Sequence, residues 1–85
     1  MNEEDDSEIR NHSASIYAKA IYKYFYSMDG YFTYSKYDWL KHNIENLKTL
    51  NTLSVFDDSV RKEIENTVEG LVILAEKPKN KIFVA

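Results

Sequence analysis

Apolar positions recur at a helical period from Glu8 to Met28. Stepped at about 100° per residue, Ile9, Ile16, Tyr17, Ala20, Ile21, Tyr24, Phe25 and Met28 fall on one side of the helical wheel. No glycine or proline interrupts the run, so the pattern predicts one long helix of roughly 30 Å. Asp29-Gly30 ends it, because glycine adopts the left-handed conformation of a C-terminal cap without a Cβ penalty.

The next stretch, Tyr31-Phe32-Thr33-Tyr34, is aromatic and favours extended structure, which predicts a short strand or an extended connector. Ser35, with Asp38 three residues later, resembles a capping arrangement. A second helix runs from there to about Leu50. Its apolar side gathers Tyr37, Leu40, Ile44 and Leu47, widened by Trp39 and Leu50, and its polar side carries Asp38, Lys41, His42, Glu45 and Thr49. A connector with Leu53, Val55 and Phe56 follows. Asp57 or Asp58 then caps a third helix to about Glu76, with Val60, Ile64, Val68, Leu71, Val72 and Ala75 as its stripe. Gly70 costs this helix on the order of 1 kcal/mol relative to alanine, which points to close packing against a neighbour. Pro78 ends the element, and Lys81 to Ala85 predict a second short strand.

Three amphipathic helices bury their stripes most economically as a bundle. The expected fold is therefore mainly α: a small three-helix bundle with a short two-stranded β element pairing 31–34 with 81–85. Residues 1–7 form a flexible acidic N-terminal tail in this reading, and 8–85 form a single helical domain.

Composition narrows the function classes. At 85 residues and a net charge of −3, with a pI near 5.3, the chain lacks the basic surface that phosphate binding needs. It has no cysteine, which removes disulfides, thiolate catalysis and cysteine-based zinc sites. Its apolar runs are too short to span a bilayer, and its acidic start is the reverse of a signal peptide, so no membrane partner and a cytoplasmic location are expected. Frequent lysine, asparagine, isoleucine and tyrosine are what an AT-rich coding sequence produces, as in many phages, viruses and low-GC bacteria.

No phosphate loop, nucleophile elbow, dinucleotide fingerprint or zinc-ligand spacing occurs. The expectation is accordingly no enzymatic activity, no cofactor, no metal and no small-molecule substrate. His12 and His42 sit on different helices and read as surface residues. Asp57 and Asp58 are accounted for by helix capping. The acidic leader and the acids of the third helix suggest a mimic of nucleic-acid phosphates, but Lys62, Lys77, Lys79 and Lys81 interrupt that surface.

What remains is an aromatic surplus. All seven tyrosines lie between Tyr17 and Tyr37. Helical period places Tyr17 and Tyr24 on the core stripe, and Tyr22 and Tyr26 opposite it with Ser15 and Lys19. The candidate site is thus a protein interface made of Lys19, Tyr22, Tyr26, Tyr31, Tyr34 and Trp39, since tyrosine and tryptophan are favoured interface anchors. The partner is another protein or a second copy of the chain as a homodimer. An accessory protein that binds and inhibits a host or defence factor fits the size and composition. The alternative is a winged-helix-type nucleic-acid-binding regulator, for which Arg61, Lys62 and Asn66 are the contact residues and Glu63, Glu65 and Glu69 the obstacle.

Overall fold

A computed structural model describes residues 3–79 as three helices: α1 (Glu3–Tyr26), α2 (Tyr34–Leu50) and α3 (Asp58–Glu76). They form an elongated up-down-up bundle. Side-chain pairs fix the directions. Asn11 meets Asp57, Ser15 meets Glu63 and Tyr22 lies on Gly70, so α1 and α3 run parallel. Tyr17 meets Asn43 and Tyr24 meets Trp39, so α2 runs antiparallel to α1. Tyr37 donates to the Ala75 carbonyl at 3.1 Å, which ties the start of α2 to the end of α3. α3 lies against both other helices, while α1 and α2 meet along a thinner seam.

The core follows a heptad rhythm of the kind that packs helices at shallow angles. On α3, Val60, Ile64, Thr67 and Leu71 are buried, and Leu74 continues the series partly buried. On α1 the matching series is Asn11, Ala14, Ala18, Ile21 and Phe25. The two alanines let α1 approach α3 closely. Leu40, Ile44 and Leu47 of α2 close the third side, and Phe32 and Phe56 plug the two ends. The six large side chains that are fully buried, Phe25, Phe32, Leu40, Leu47, Ile64 and Leu71, each contribute about 2 kcal/mol by leaving water.

Several expectations are corrected here. α1 begins at Glu3 rather than at about Glu8, so the helix extends into the acidic stretch. Acidic residues suit that position, because the positive end of the helix dipole lies there. The stripe assigned to the core on α1 faces the wrong way: Ile9, Ile16, Tyr17, Ala20 and Tyr24 are exposed. Of that stripe only Phe25 is fully buried, with Ile21 and Met28 partly so. The cap of α2 is Thr33, whose hydroxyl accepts from the Lys36 N–H at 3.2 Å, and not Ser35. Its extended φ of −72° and ψ of 164° set up that bond.

Tyr31 to Thr33 form a connector, Tyr34 already belongs to α2, and no strand occurs among the described residues. The proposed pairing partner, 81–85, lies outside them. The stop after α1 is as expected: Asp29 and Gly30 take positive φ of 52° and 82°. The Gly30 carbonyl accepts the Lys79 N–H at 2.7 Å, and the Lys79 ammonium reaches Asp29 at 2.8 Å, which fastens the segment just after α3 to this turn.

Candidate functional site

The displaced stripe of α1 is the main surface feature. The bundle buries one face of the helix, and the apolar residues opposite it are left in water. Ile9 is 59% exposed and Ile16 52%, with Ala20, Tyr17 and Tyr24 beside them. Trp39 of α2, 43% exposed, extends the surface across the α1–α2 seam.

This surface is held in place from below. The Tyr17 hydroxyl donates to Asn43 Oδ1 at 2.9 Å, and Asn43 Nδ2 donates to the Trp39 carbonyl at 2.9 Å. Asn43 is buried, so both of its polar atoms are used inside the protein. The Tyr24 ring meets Trp39 edge-on at 5.2 Å, and Trp39 leans on the buried Phe25 at 5.4 Å. Lys36 Nζ lies 5.3 Å from the Tyr24 ring and 5.2 Å from the Trp39 ring, within cation–π range of both. Rings fixed in this way lose little rotamer freedom on contact with a partner.

The six residues expected to form one interface are divided among three places. Trp39 belongs to the α1–α2 surface just described. Lys19 and Tyr22 lie on the α1–α3 side, where Lys19 reaches Glu63 at 3.5 Å and Ser15 donates to the same carboxylate at 2.8 Å. Tyr22 is not an exposed ring. It is half-buried, packs on the core, and covers Gly70 so closely that an added Cβ there would lie 2.5 Å from its Cε2. Tyr26 stacks on Tyr22 at 5.6 Å and is 62% exposed. Tyr31 sits at the end of the bundle with Lys79 Nζ 5.7 Å from its ring, and Tyr34 is exposed at the start of α2.

Ile9, Ile16, Tyr17 and Tyr24 escape the sequence reading as surface residues because their period resembles a core stripe, and Lys36 carries no periodic signal at all. The competing series, Asn11-Ala14-Ala18-Ile21-Phe25, was the available signal. It is less hydrophobic but keeps strict heptad spacing.

Two clefts flank the helices. The larger, about 530 Å³, is an open groove between Tyr22 and α3 residues Ser59, Lys62, Glu63, Asn66 and Thr67. The smaller, about 250 Å³, lies where α2 ends against α3 and borders the Asn51 side chain, whose Oδ1 is buried without a protein partner. Water entering that cleft can reach such an atom. Neither cleft gathers reactive groups. His42 Nδ1 lies 2.9 Å from the Asp38 carbonyl of its own helix, and His12 is exposed on α1. Among the described residues no three histidine, aspartate or glutamate side chains converge as metal ligands, and no helix is long and apolar enough to cross a membrane. Among the described residues the Lys79 ammonium is held above its ordinary pKa by its hydrogen bond to Asp29.

Compared with known proteins, the chain matches no family model, no curated protein and no solved structure.

Proposed function

We propose that this chain is a non-enzymatic protein-interaction module that docks through the outer face of α1 and Trp39 of α2. The observation that carries the reading is that α1 is apolar on two opposite faces, and among the described residues only one of them is covered. A helix on the outside of a bundle is ordinarily polar on its outer face. Scattered apolar residues on a surface need no explanation, but a contiguous run flanked by polar residues marks a contact site. Aromatic anchors braced by Asn43 and Phe25 add to the support, because preorganised rings are what interface hot spots use. Small size and AT-type composition are in keeping with an accessory protein that acts by occupying a host or defence factor.

The nucleic-acid reading has less to support it. α2 and α3 lie antiparallel side by side, whereas a helix-turn-helix crosses its helices steeply. The exposed side of α3 also alternates Lys62 with Glu65 and Glu69.

The test is affinity capture from the native cell with three baits: the wild type, Ile16→Lys, and the double variant Tyr24→Ala/Trp39→Ala. Circular dichroism confirms that each bait is folded. The reading expects a captured protein, the untagged chain itself included, that both variants lose. Capture identical for all three baits would sink it.

A further inference from the structure

Resting on that reading, we infer that the occupant of the α1 face is a second copy of this chain, packed antiparallel along α1 about a two-fold axis near Ile16 and Tyr17. Three observations carry this. The first is the spacing of the stripe, which is complementary to its own reverse. With the axis between Ile16 and Tyr17, Ile9 falls opposite Tyr24 of the second copy, Ser13 opposite Ala20, and Ile16 opposite Tyr17. Each large residue at one end thus meets a large residue, and the small pair Ser13 and Ala20 lets the helix backbones approach. An isologous two-fold contact requires this kind of self-complementarity.

The second observation is charge. α1 opens with the acidic sequence Glu3-Glu4-Asp5-Asp6, with Glu8 following, and beyond Arg10 its only formal charges are Lys19 and Lys23. Lys36 adds a further cation beside Tyr24. With the axis between Ile16 and Tyr17, an antiparallel pair places Asp6 and Glu8 of each copy opposite Ser27 and Phe25 of the other, about one turn from Lys23, and sets Arg10 opposite Lys23. A parallel pair would set the acidic end of each helix against the acidic end of the other, so charge favours the antiparallel orientation.

The third observation is area and reach. α3 begins level with Asn11, so the turns of α1 before Asn11 run past the point where the bundle's own cover starts. In the antiparallel pair those turns lie over Tyr24, Trp39 and Lys36 of the other copy. At roughly half exposure, Ile9, Ile16, Tyr17, Tyr24 and Trp39 offer on the order of 500 Å² per protomer. With Ser13, Ala20, Lys23 and the Lys36 stem, the face approaches the roughly 800 Å² per partner of a standard interface.

Purified protein should sediment at twice its 10.0 kDa chain mass at about 100 μM, with a dissociation constant in roughly the micromolar range. Ile16→Lys, at an exposed position, should weaken the dimer by roughly 30-fold or more while leaving the helical circular dichroism unchanged. Orientation is read by cysteine cross-linking, since the chain has no cysteine of its own. Mixing Ser13→Cys with Ala20→Cys should give oxidised heterodimers, and neither variant alone should cross-link, because like positions lie about 10 Å apart along the antiparallel helices.

A monomer at about 500 μM, a dimer indifferent to Ile16→Lys, or efficient Ser13→Cys self-cross-linking would each overturn the proposal. A monomer whose capture of a different protein still depends on Ile16 and Trp39 overturns the self-partner and leaves the interaction reading standing. A monomer with no such capture removes both.

Discussion

Replacing Gly70 with alanine sets two effects of similar size against each other. In a helix interior, alanine is favoured over glycine by about 1 kcal/mol. At this position the new methyl would lie 2.5 Å from Tyr22 Cε2 and 3.3 Å from Cδ2, where ordinary contact begins near 3.5 Å. The ring must therefore retreat by about 1 Å. It is stacked on Tyr26 and packed against the core, so its movement disturbs both contacts. Overpacking of this kind costs about 1–3 kcal/mol. Gly70→Ala should accordingly be neutral or destabilising by up to about 2 kcal/mol, despite the better helix propensity.

The decisive measurement is the same substitution in a Tyr22→Ala background. With the ring gone, only the propensity term remains, and Gly70→Ala should stabilise by about 1 kcal/mol. The coupling between the two sites is then about 1–3 kcal/mol, large for any pair of residues. Urea unfolding followed by circular dichroism at constant m-value measures all four proteins of the cycle. If Gly70→Ala is equally stabilising with and without the Tyr22 ring, the ring does not lie over Gly70 and the placement of α1 on α3 is wrong.

Two other contacts give comparable tests. Asn11→Ala strands the Asp57 N–H that its Oδ1 accepts at 2.8 Å and should cost about 1–3 kcal/mol by urea unfolding. It should cost less in an Asp57→Pro background, where a φ of −64° already suits proline and no N–H remains to strand. At the other end, Asp29 holds the Lys79 ammonium protonated above its ordinary 10.5. A pKa raised in the folded state gives stability that is complete below the unfolded value and lost as pH rises through the folded one. The thermal midpoint of the wild type should therefore exceed that of Lys79→Met by a small, constant margin between about pH 7 and 9, and the margin should shrink as pH rises past the ordinary lysine value of 10.5. A margin that does not fall at all as the lysine deprotonates would remove the ion pair from the account.

Much of the fold was legible because α2 and α3 each have a single apolar face. Val60, Ile64 and Leu71, and likewise Leu40, Ile44 and Leu47, leave no choice about which side turns inward. Gly70 was legible in the same way, since a glycine inside a strong helical pattern is expected to mark a close approach, and Tyr22 makes it. α1 was harder, because two periodic series share it and hydrophobicity alone favours the wrong one. Isoleucine and tyrosine outweigh asparagine and alanine on any transfer scale. Close approach decides otherwise: Ala14 and Ala18 let α1 settle against α3, and the polar atoms of Asn11 are satisfied by Asp57 and Ser7 rather than by water. The candidate interface is hidden in the sequence for the same reason, since Ile9, Ile16, Tyr17, Ala20 and Tyr24 keep the period of a core face.

The choice of inward face on α1 has a consequence for specificity. Turning the isoleucine–tyrosine stripe inward would bury more apolar area, at about 25 cal/mol per Å², yet the bundle does not take that arrangement. What opposes it is a set of polar ties that work only in the observed register. Asn11 with Asp57, Ser15 with Glu63, and Tyr17 with Asn43 would all be broken by rotating α1, leaving Asn43 buried with an unmet acceptor. Each broken tie costs about 1–3 kcal/mol. The same ties therefore hold the outer stripe in water, so a surface that is expensive for an isolated chain persists unless something covers it. Removing them should blur the distinction between the two faces. In Asn11→Leu/Asn43→Leu, α1 gains an apolar core position while losing its register pins. Amide hydrogen exchange along α1 should then lose its contrast with α3, and any contact that depends on Ile16 should weaken even though Ile16 is untouched. Undiminished binding with uniform protection of α1 would show that shape alone, without the asparagines, fixes which face points outward.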